Sequence, residues 1–340
     1  MNIAALVKAV PGADRPAMDA LSRRAVAQAV ELAAAVGDGV CTAFSLGPHD
    51  AEDVVREAMA WGRICSVMTF GVHLTGPQVD AADNLFGARA IAEALRRDGP
   101  FDLVLLGARA EDGGCGLLGP QVAELLDLPF VEGARYLSMQ GNRAHVRAEH
   151  DDGWLQATVE LPAVVSCAAG LIDPCEVSKV ARELVPRDRI RIMATEDVGL
   201  DPPAPASGAV AVVADPARPD HTAALIAAAA GYTSDPNDQV VVLAPAATDA
   251  ADVQPEDAAR VVTDWAQETP VSALLAPDTS WGREVAGRVG VRLATMALIN
   301  LVDPRAASVM SREPAPTSVT TVPVRRRNRV RVASRTRRPD

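Results

Sequence analysis

Leu103-Val104-Leu105-Leu106-Gly107-Ala108-Arg109-Ala110-Glu111-Asp112-Gly113-Gly114-Cys115-Gly116-Leu117-Leu118-Gly119-Pro120 decides the fold class of this chain. Its first five residues are an unbroken apolar run closed by glycine, the pattern of a strand buried on both sheet faces. Its end opens a helix with proline in the first turn, where a missing N–H is tolerated. Between the two, glycines let the backbone curl until several N–H groups face one point, and the helix end adds partial positive charge. A phosphate is the natural guest of such a loop; a glycine-rich turn holding no ligand is the competing reading. Gly114 to Gly119 also fits G-x-G-x-x-G. That fingerprint needs its first glycine directly after the first strand. Here Ala108 to Gly113 intervene and the strand is the fourth, so a nicotinamide-dependent dehydrogenase is rejected.

Outward from this loop, strand and helix patterns alternate. Residues 2–10, 39–46 and 66–70 read as strands, with helical patterns over 26–35, 51–61 and 80–96 and a further helix over 120–126. Strands separated by helices of ten or more residues imply an α/β fold with a parallel sheet covered on both faces. Residues 145–149 and 155–160 flank Asp151-Asp152-Gly153, a hairpin signal. Residues 162–167 and 189–194 read as strands and 176–185 as a helix. Residues 199–208 carry Pro202, Pro203 and Pro205 and form a stiff linker between a domain at 1–198 and a second at 209–340. In the second, strands at 209–214, 239–243 and 272–276 alternate with helices at 221–230, 255–267 and 282–289, and strands at 319–324 and 329–334 close the chain. Both halves carry a strand followed by a helix opening G-x-x-V-A, at Gly119 and at Gly282, but the first has six more residues in between.

At 340 residues the chain can build two cores, and with 3% aromatic residues those cores are made of Ala, Val and Leu. Five cysteines with no CxxC pair argue against a disulfide framework and for a reducing, cytoplasmic setting. The N-terminal residues read as a first strand and not as a signal peptide, and no apolar run suits membrane insertion. Net charge is −11, yet residues 325–340 hold eight Arg against one Asp, so the body is more acidic still. An acidic body argues against nucleic acid as the partner. The five histidines show no ligand spacing for a metal.

The loop resembles the adenine-nucleotide loop of the electron transfer flavoprotein β subunit, G-x-Q-A-x-D-G-D-T-G-Q-V-G-P, matching at Gly107, Ala110, Asp112, Gly113, Gly116, Gly119 and Pro120. Lys8-Ala9-Val10-Pro11 is similar to that family's K-x-V-P, and Ser45-Leu46-Gly47-Pro48 to its S-x-G-P. Asp151-Asp152-Gly153 with Leu161-Pro162-Ala163-Val164 resembles its D-D-G and L-P-A-V run. The likeness covers about residues 1–195. Residues 273–284 resemble the first domain of the partner α subunit, to about residue 336. The resemblance implies two Rossmann-like, three-layer units of the adenine-nucleotide-binding (HUP) type. It implies AMP or FAD in the first, held by Leu6, Lys8, Leu46, Gly107, Asp112, Gly113, Gly114, Cys115, Gly116, Leu117, Leu118 and Gly119. It further implies that the redox FAD sits on a separate α-like subunit, and that a dehydrogenase or quinone oxidoreductase exchanges electrons with the pair. The chain would then be an electron-transfer scaffold and not a catalyst. Arg109, Gly114 and Leu117 depart from the loop pattern, and Lys179 stands where the family's partner-recognition segment has its anchoring Leu. These departures motivate the alternative of a nucleotide-binding scaffold or sensor with no electron-transfer role.

Overall fold

A computed structural model of the chain describes residues 1–12, 15–62, 67–76, 84–111, 114–151, 153–174, 177–198, 208–215, 218–229, 240–246, 253–294, 297–298, 317–323 and 330–337. Most of the linker, residues 199–207, lies outside the described residues. The chain divides into two compact units, Met1–Asp201 with Arg329–Asp340, and Pro202–Asn328.

The first unit runs β1 (Asn2–Val7), β2 (Ala9–Val10), β3 (Ala17–Met18), α1 (Ala20–Val36), β4 (Val40–Leu46), α2 (Glu52–Gly62), β5 (Met68–Thr75) and α3 (Asn84–Asp98). It continues with β6 (Leu103–Gly107), α4 (Leu118–Leu125), β7 (Phe130–Gln140), β8 (Arg143–His150), β9 (Gly153–Glu160), β10 (Ala163–Cys167), α5 (Lys179–Glu183) and β11 (Ile190–Ala194). Seven strands in the order β11-β5-β4-β1-β6-β10-β7 are all joined by parallel pairings. In β1, Ile3, Ala5 and Val7 face one core with α1 and α2, while Ala4 and Leu6 face a second with α3 and α4. That period of two, with both faces apolar, is what a parallel sheet between two helix layers requires. A wholly buried Leu such as Leu103 or Leu105 contributes about 1.5–3 kcal/mol over leaving it in water. The helices meet the sheet through alanines (Ala25, Ala29 and Ala33 on α1; Ala88, Ala90 and Ala94 on α3), so few aromatics are needed to fill the space.

Beyond β7 the sheet turns antiparallel through β8 and β9. The pattern over 130–140 did not predict β7. Its Gly133 takes φ 75, and a bulge between Ala134 and Tyr136 breaks the alternation that marks a strand. The last strand also differs from the sequence reading. Expected to close the second domain, β17 (Val330–Arg337) instead pairs antiparallel with β9 and becomes the tenth strand of the first unit's sheet.

The second unit comprises β12 (Ala209–Val213), α6 (Pro219–Ala229), β13 (Val240–Ala246), α7 (Pro255–Ala266), β14 (Val271–Leu275), α8 (Ser280–Leu293), β15 (Ala297–Leu298) and β16 (Thr317–Pro323). Its sheet is parallel throughout, in the order β15-β14-β12-β13-β16. Val210, Val212, Leu225, Val240, Val242 and Leu275 build its core.

Candidate functional site

From β1 the first unit's chain steps to β4 and then β5 on one side, and only afterwards returns to place β6 on the other side of β1. The connections that leave the parallel carboxyl ends of β1 and β6 therefore run to opposite faces of the sheet, to α1 and to α4, which makes the crevice where open α/β sheets take ligands. Four segments meet there: Lys8 after β1, the start of α1, the loop after β6, and the start of α4.

The loop is fastened to its surroundings by its backbone. Ala108 donates to the carbonyl of Cys167 at 3.0 Å, and Gly114 to that of Ala110 at 3.1 Å. A Cβ on Gly107 would come within 2.9 Å of Leu21 Cβ on α1, and one on Gly114 within 2.6 Å of Ala110 N. Gly116 takes φ 73, a left-handed turn that glycine adopts without strain. Cys115 Sγ accepts from Asn84 Nδ2 at 3.0 Å. Leu117 is the N-cap residue of α4, and its side chain makes no capping bond to that helix. The other helix end differs. Asp19, 1% exposed, accepts through Oδ2 from Leu21 N at 3.0 Å and Ser22 N at 2.9 Å. Its Oδ1 accepts from Glu111 N at 2.9 Å. One carboxylate thus caps α1 and ties the glycine loop to it.

Gly107, Gly114, Cys115, Gly116, Leu117, Leu118 and Gly119 stand along this loop and helix start, with exposed Lys8 at the end of β1. Asp112 and Gly113 lie outside the described residues. The side chain of Leu6 is in the core beneath α3 and α4, and Leu46 packs against the same core. Leu117 is 2% exposed, and a Cβ on Gly119 would strike the Phe130 ring at 2.6 Å. Packing claims the side chains of Leu6 and Leu117 and the space around Gly119, so these positions can offer a ligand their backbone. Asp19 was missed; its signal is an acidic residue directly before an alanine-rich helical run.

The equivalent place in the second unit is built differently among its described residues. Its crossover puts β14 and β13 on opposite sides of β12. Thr279 caps α8 by accepting from Gly282 N at 3.0 Å, and donates to buried Asp215 at 3.0 Å. Arg283, 4% exposed, pairs with Asp278 at 2.8 Å.

Elsewhere in the first unit, a cavity of about 720 Å³ is lined by Arg15, His49, Glu52, Arg56, Arg187 and Ile192 among others. It shares no lining residue with the glycine loop, and four of its charged residues pair with one another: Arg15 with Asp53 at 3.0 Å, and Arg56 with Glu52. Burial pushes the Cys41 and Cys167 thiols up to about 12 and holds His73 below its ordinary value. Among the described residues no three His, Cys, Asp or Glu gather as metal ligands, and no helix is long and apolar enough to cross a membrane.

Comparison with known proteins agrees with this architecture. The chain is 28% identical over 218 residues to an electron transfer flavoprotein subunit beta of Thermoanaerobacterium thermosaccharolyticum, covering 59% of this chain and 81% of that one. It is 28% identical over 158 residues to the corresponding subunit of Megasphaera elsdenii, covering 45% and 57%. It is also 28% identical over 165 residues to Caffeyl-CoA reductase-Etf complex subunit CarD of Acetobacterium woodii, covering 47% and 60%. The chain spans less than two thirds of the length of these last two. Residues 12–197, more than half of the chain, match the family model of the electron transfer flavoprotein domain, and the chain belongs to that family.

Proposed function

We propose that this chain is a β-type subunit of an electron transfer flavoprotein, a scaffold that holds an adenine nucleotide, AMP or the adenylate half of FAD, in the β1/β6 crevice. Both units are then Rossmann-like nucleotide-binding-type modules, with a linker over 199–208. The second, resembling the first domain of an α subunit, serves packing and not ligand binding. The observation that carries the reading is the glycine loop between β6 and α4, where a Cβ on Gly107 or Gly114 would strike neighbouring atoms and the N-cap residue Leu117 makes no side-chain bond to the helix.

These residues suit a phosphate. Leu118 and Gly119 offer backbone N–H groups at a helix N-terminus, Gly116 supplies the turn that exposes them, and Lys8 and Arg109 bring positive charge to the same edge. Pro120 has no N–H to offer, which concentrates donation on the residues before it. The chain's work is binding and positioning: the loop is fixed at Ala108, Glu111 and Gly114, so its donors need little reordering when the anion arrives.

The redox flavin, which accepts electrons and passes them on, is supplied in this reading by a separate FAD-carrying α-like subunit. A dehydrogenase or quinone oxidoreductase is the exchange partner. Relatives named as subunits of flavoprotein and reductase complexes support that assembly. The test is to express the tagged full chain in its native host, identify co-purifying chains, and identify any released nucleotide by mass and absorbance. A flavoprotein partner together with an adenine nucleotide bears the proposal out. A chain that carries a stoichiometric redox flavin by itself, or no nucleotide and no flavoprotein partner, overturns it.

A further inference from the structure

We propose that the cavity beside the start of α2 is a second binding site of the first unit, built for an aliphatic monocarboxylate: Arg187 takes the carboxylate, and Ile190 and Ile192 of β11 take the hydrocarbon. The site stands apart from the nucleotide reading above, since the cavity shares no lining residue with the glycine loop.

The cavity measures about 720 Å³, within the range of ~300–1,000 Å³ usual for small-molecule sites. Three guanidinium groups line it from three places: Arg15 ahead of β3, Arg56 on α2 and Arg187 after α5. Two of them are already committed. Arg15 meets Asp53 at 3.0 Å, and Arg56 meets Glu52 one helical turn away. These pairs hold the wall in shape and leave it close to neutral. Arg187 differs: it stands exposed between α5 and β11, and among the described residues it has no ion pair. Its N–H groups form a planar fork that matches a carboxylate. Three residues on, the lining turns apolar. Ile190 and Ile192 are two apart on β11 and so share one face of the strand. That strand is the edge of its sheet, and Ile192 stays 42% exposed, apolar surface that a hydrocarbon chain would cover. Charge then selects the head group. Asp50, Glu52 and Asp53 stand in the same lining, so a phosphate dianion meets more repulsion here than a single carboxylate does. The rim is fixed in advance: buried His73 lies with Nε2 3.1 Å from the Pro48 carbonyl, to which Ala51 N donates at 2.9 Å, and this sets the turn that bears His49 and Asp50. Walls already ordered cost a ligand little on binding.

The experiment is calorimetry on the full-length chain with sodium butanoate, hexanoate and octanoate, and with hexanol, hexylammonium and inorganic phosphate as controls. It is repeated on Arg187→Gln and Ile192→Ser. The wild type is expected to take one carboxylate per chain, about fourfold more tightly for each added CH₂ that reaches the isoleucine wall, and to bind the three controls far more weakly. Arg187→Gln should weaken hexanoate about tenfold, with an unchanged melting curve because the side chain is exposed. Ile192→Ser should leave butanoate nearly as it was and flatten the dependence on chain length, which a residue serving structure alone would not do. Saturating AMP should leave hexanoate affinity unchanged. Five results overturn the proposal: no carboxylate bound, hexanol bound as tightly as hexanoate, phosphate bound more tightly than hexanoate, Arg187→Gln binding like the wild type, or displacement of hexanoate by AMP. Should Ile192→Ser not fold, the head-group series and Arg187→Gln decide the matter.

Discussion

Arg182 on α5 reaches the Glu57 carboxylate on α2 at 3.0 Å, and Glu57 is 4% exposed. Arg23 meets the other oxygen of Glu57 at 2.8 Å, while Arg15 and Arg182 flank Asp53 at 3.0 and 3.9 Å. No residue of α5 is buried. The helix is held to the body by this ion cluster more than by apolar contact. Arg182→Ala leaves a buried carboxylate with one partner fewer and is expected to lower unfolding stability by about 1–3 kcal/mol. Urea denaturation measures the loss, and limited proteolysis should show faster cutting near residues 179–183. Unchanged values in both would mean that the cluster contributes nothing net.

Two glycines of one motif should answer differently to alanine. At Gly119 the new Cβ meets the Phe130 ring at 2.6 Å in the core, so Gly119→Ala is expected to destabilise by about 1–3 kcal/mol. Phe130→Leu, by making room, should recover part of that loss. At Gly114 the obstacle is Ala110 backbone in a surface loop. There the substitution should weaken nucleotide binding with little change in melting temperature. Equal melting losses at both sites would contradict the division.

The contrast also shows what the sequence could and could not reveal. Strand, loop and helix around Gly107–Pro120 were legible because apolar runs and glycines are local signals. The separate duties of Gly114 and Gly119 were not, since the crowding of Gly119 comes from a strand that the sequence reading did not foresee. Asp19 was equally hidden: its helix-capping role has a local signature, but its bond to Glu111 spans 92 residues. Leu6 and Leu46 entered the expected site through the family resemblance; the period of two turns the Leu6 side chain into the core, and Leu46 packs against that core.

His73 supplies an acid-sensitive step. It is 0% exposed, and its Nε2 lies 3.1 Å from the Pro48 carbonyl. Burial lowers its pKa below 6.5 most strongly; His49 lowers it further, while the Pro48 carbonyl, Glu52 and Asp50 oppose the shift. Its register neighbour on β4 is Ser45, also buried. The folded state keeps the ring neutral, whereas the unfolded chain takes up a proton near 6.5. The contribution is therefore complete above that pH and is lost as pH falls below it, with a slope of up to about 1.4 kcal/mol per pH unit. Urea midpoints at pH 7.5 and 5.5 should fall less on acidification in His73→Gln than in wild type. Parallel losses in the two proteins would assign the acid limb to other groups.

Removing residues 329–340 should uncover an edge. β17 pairs with β9 from Val159 to Gly153, and without it the N–H and C=O groups along that side of β9 are free to pair with another chain. The truncated protein is expected to keep its far-ultraviolet circular dichroism but to self-associate as concentration rises, as light scattering coupled to size exclusion would show. A truncated chain that behaves at high concentration like the full one would mean that the strand does not protect this edge.

Thiol chemistry reports on the loop itself. Burial raises the Cys41 and Cys167 thiols to about 12, so at pH 8 their thiolate fraction is only ~10⁻⁴. Both are also closed to solvent. Cys115 is partly exposed beside Gly116, touching Asn84. N-ethylmaleimide followed by peptide mass mapping should modify Cys115 well before Cys41 or Cys167. Because Cys115 stands in the loop proposed to hold phosphate, saturating AMP should slow its labelling, while adenosine, lacking the phosphate, should protect less. Equal protection by AMP and adenosine would place the adenine and not the phosphate over this loop. No protection by either would remove the ligand from it.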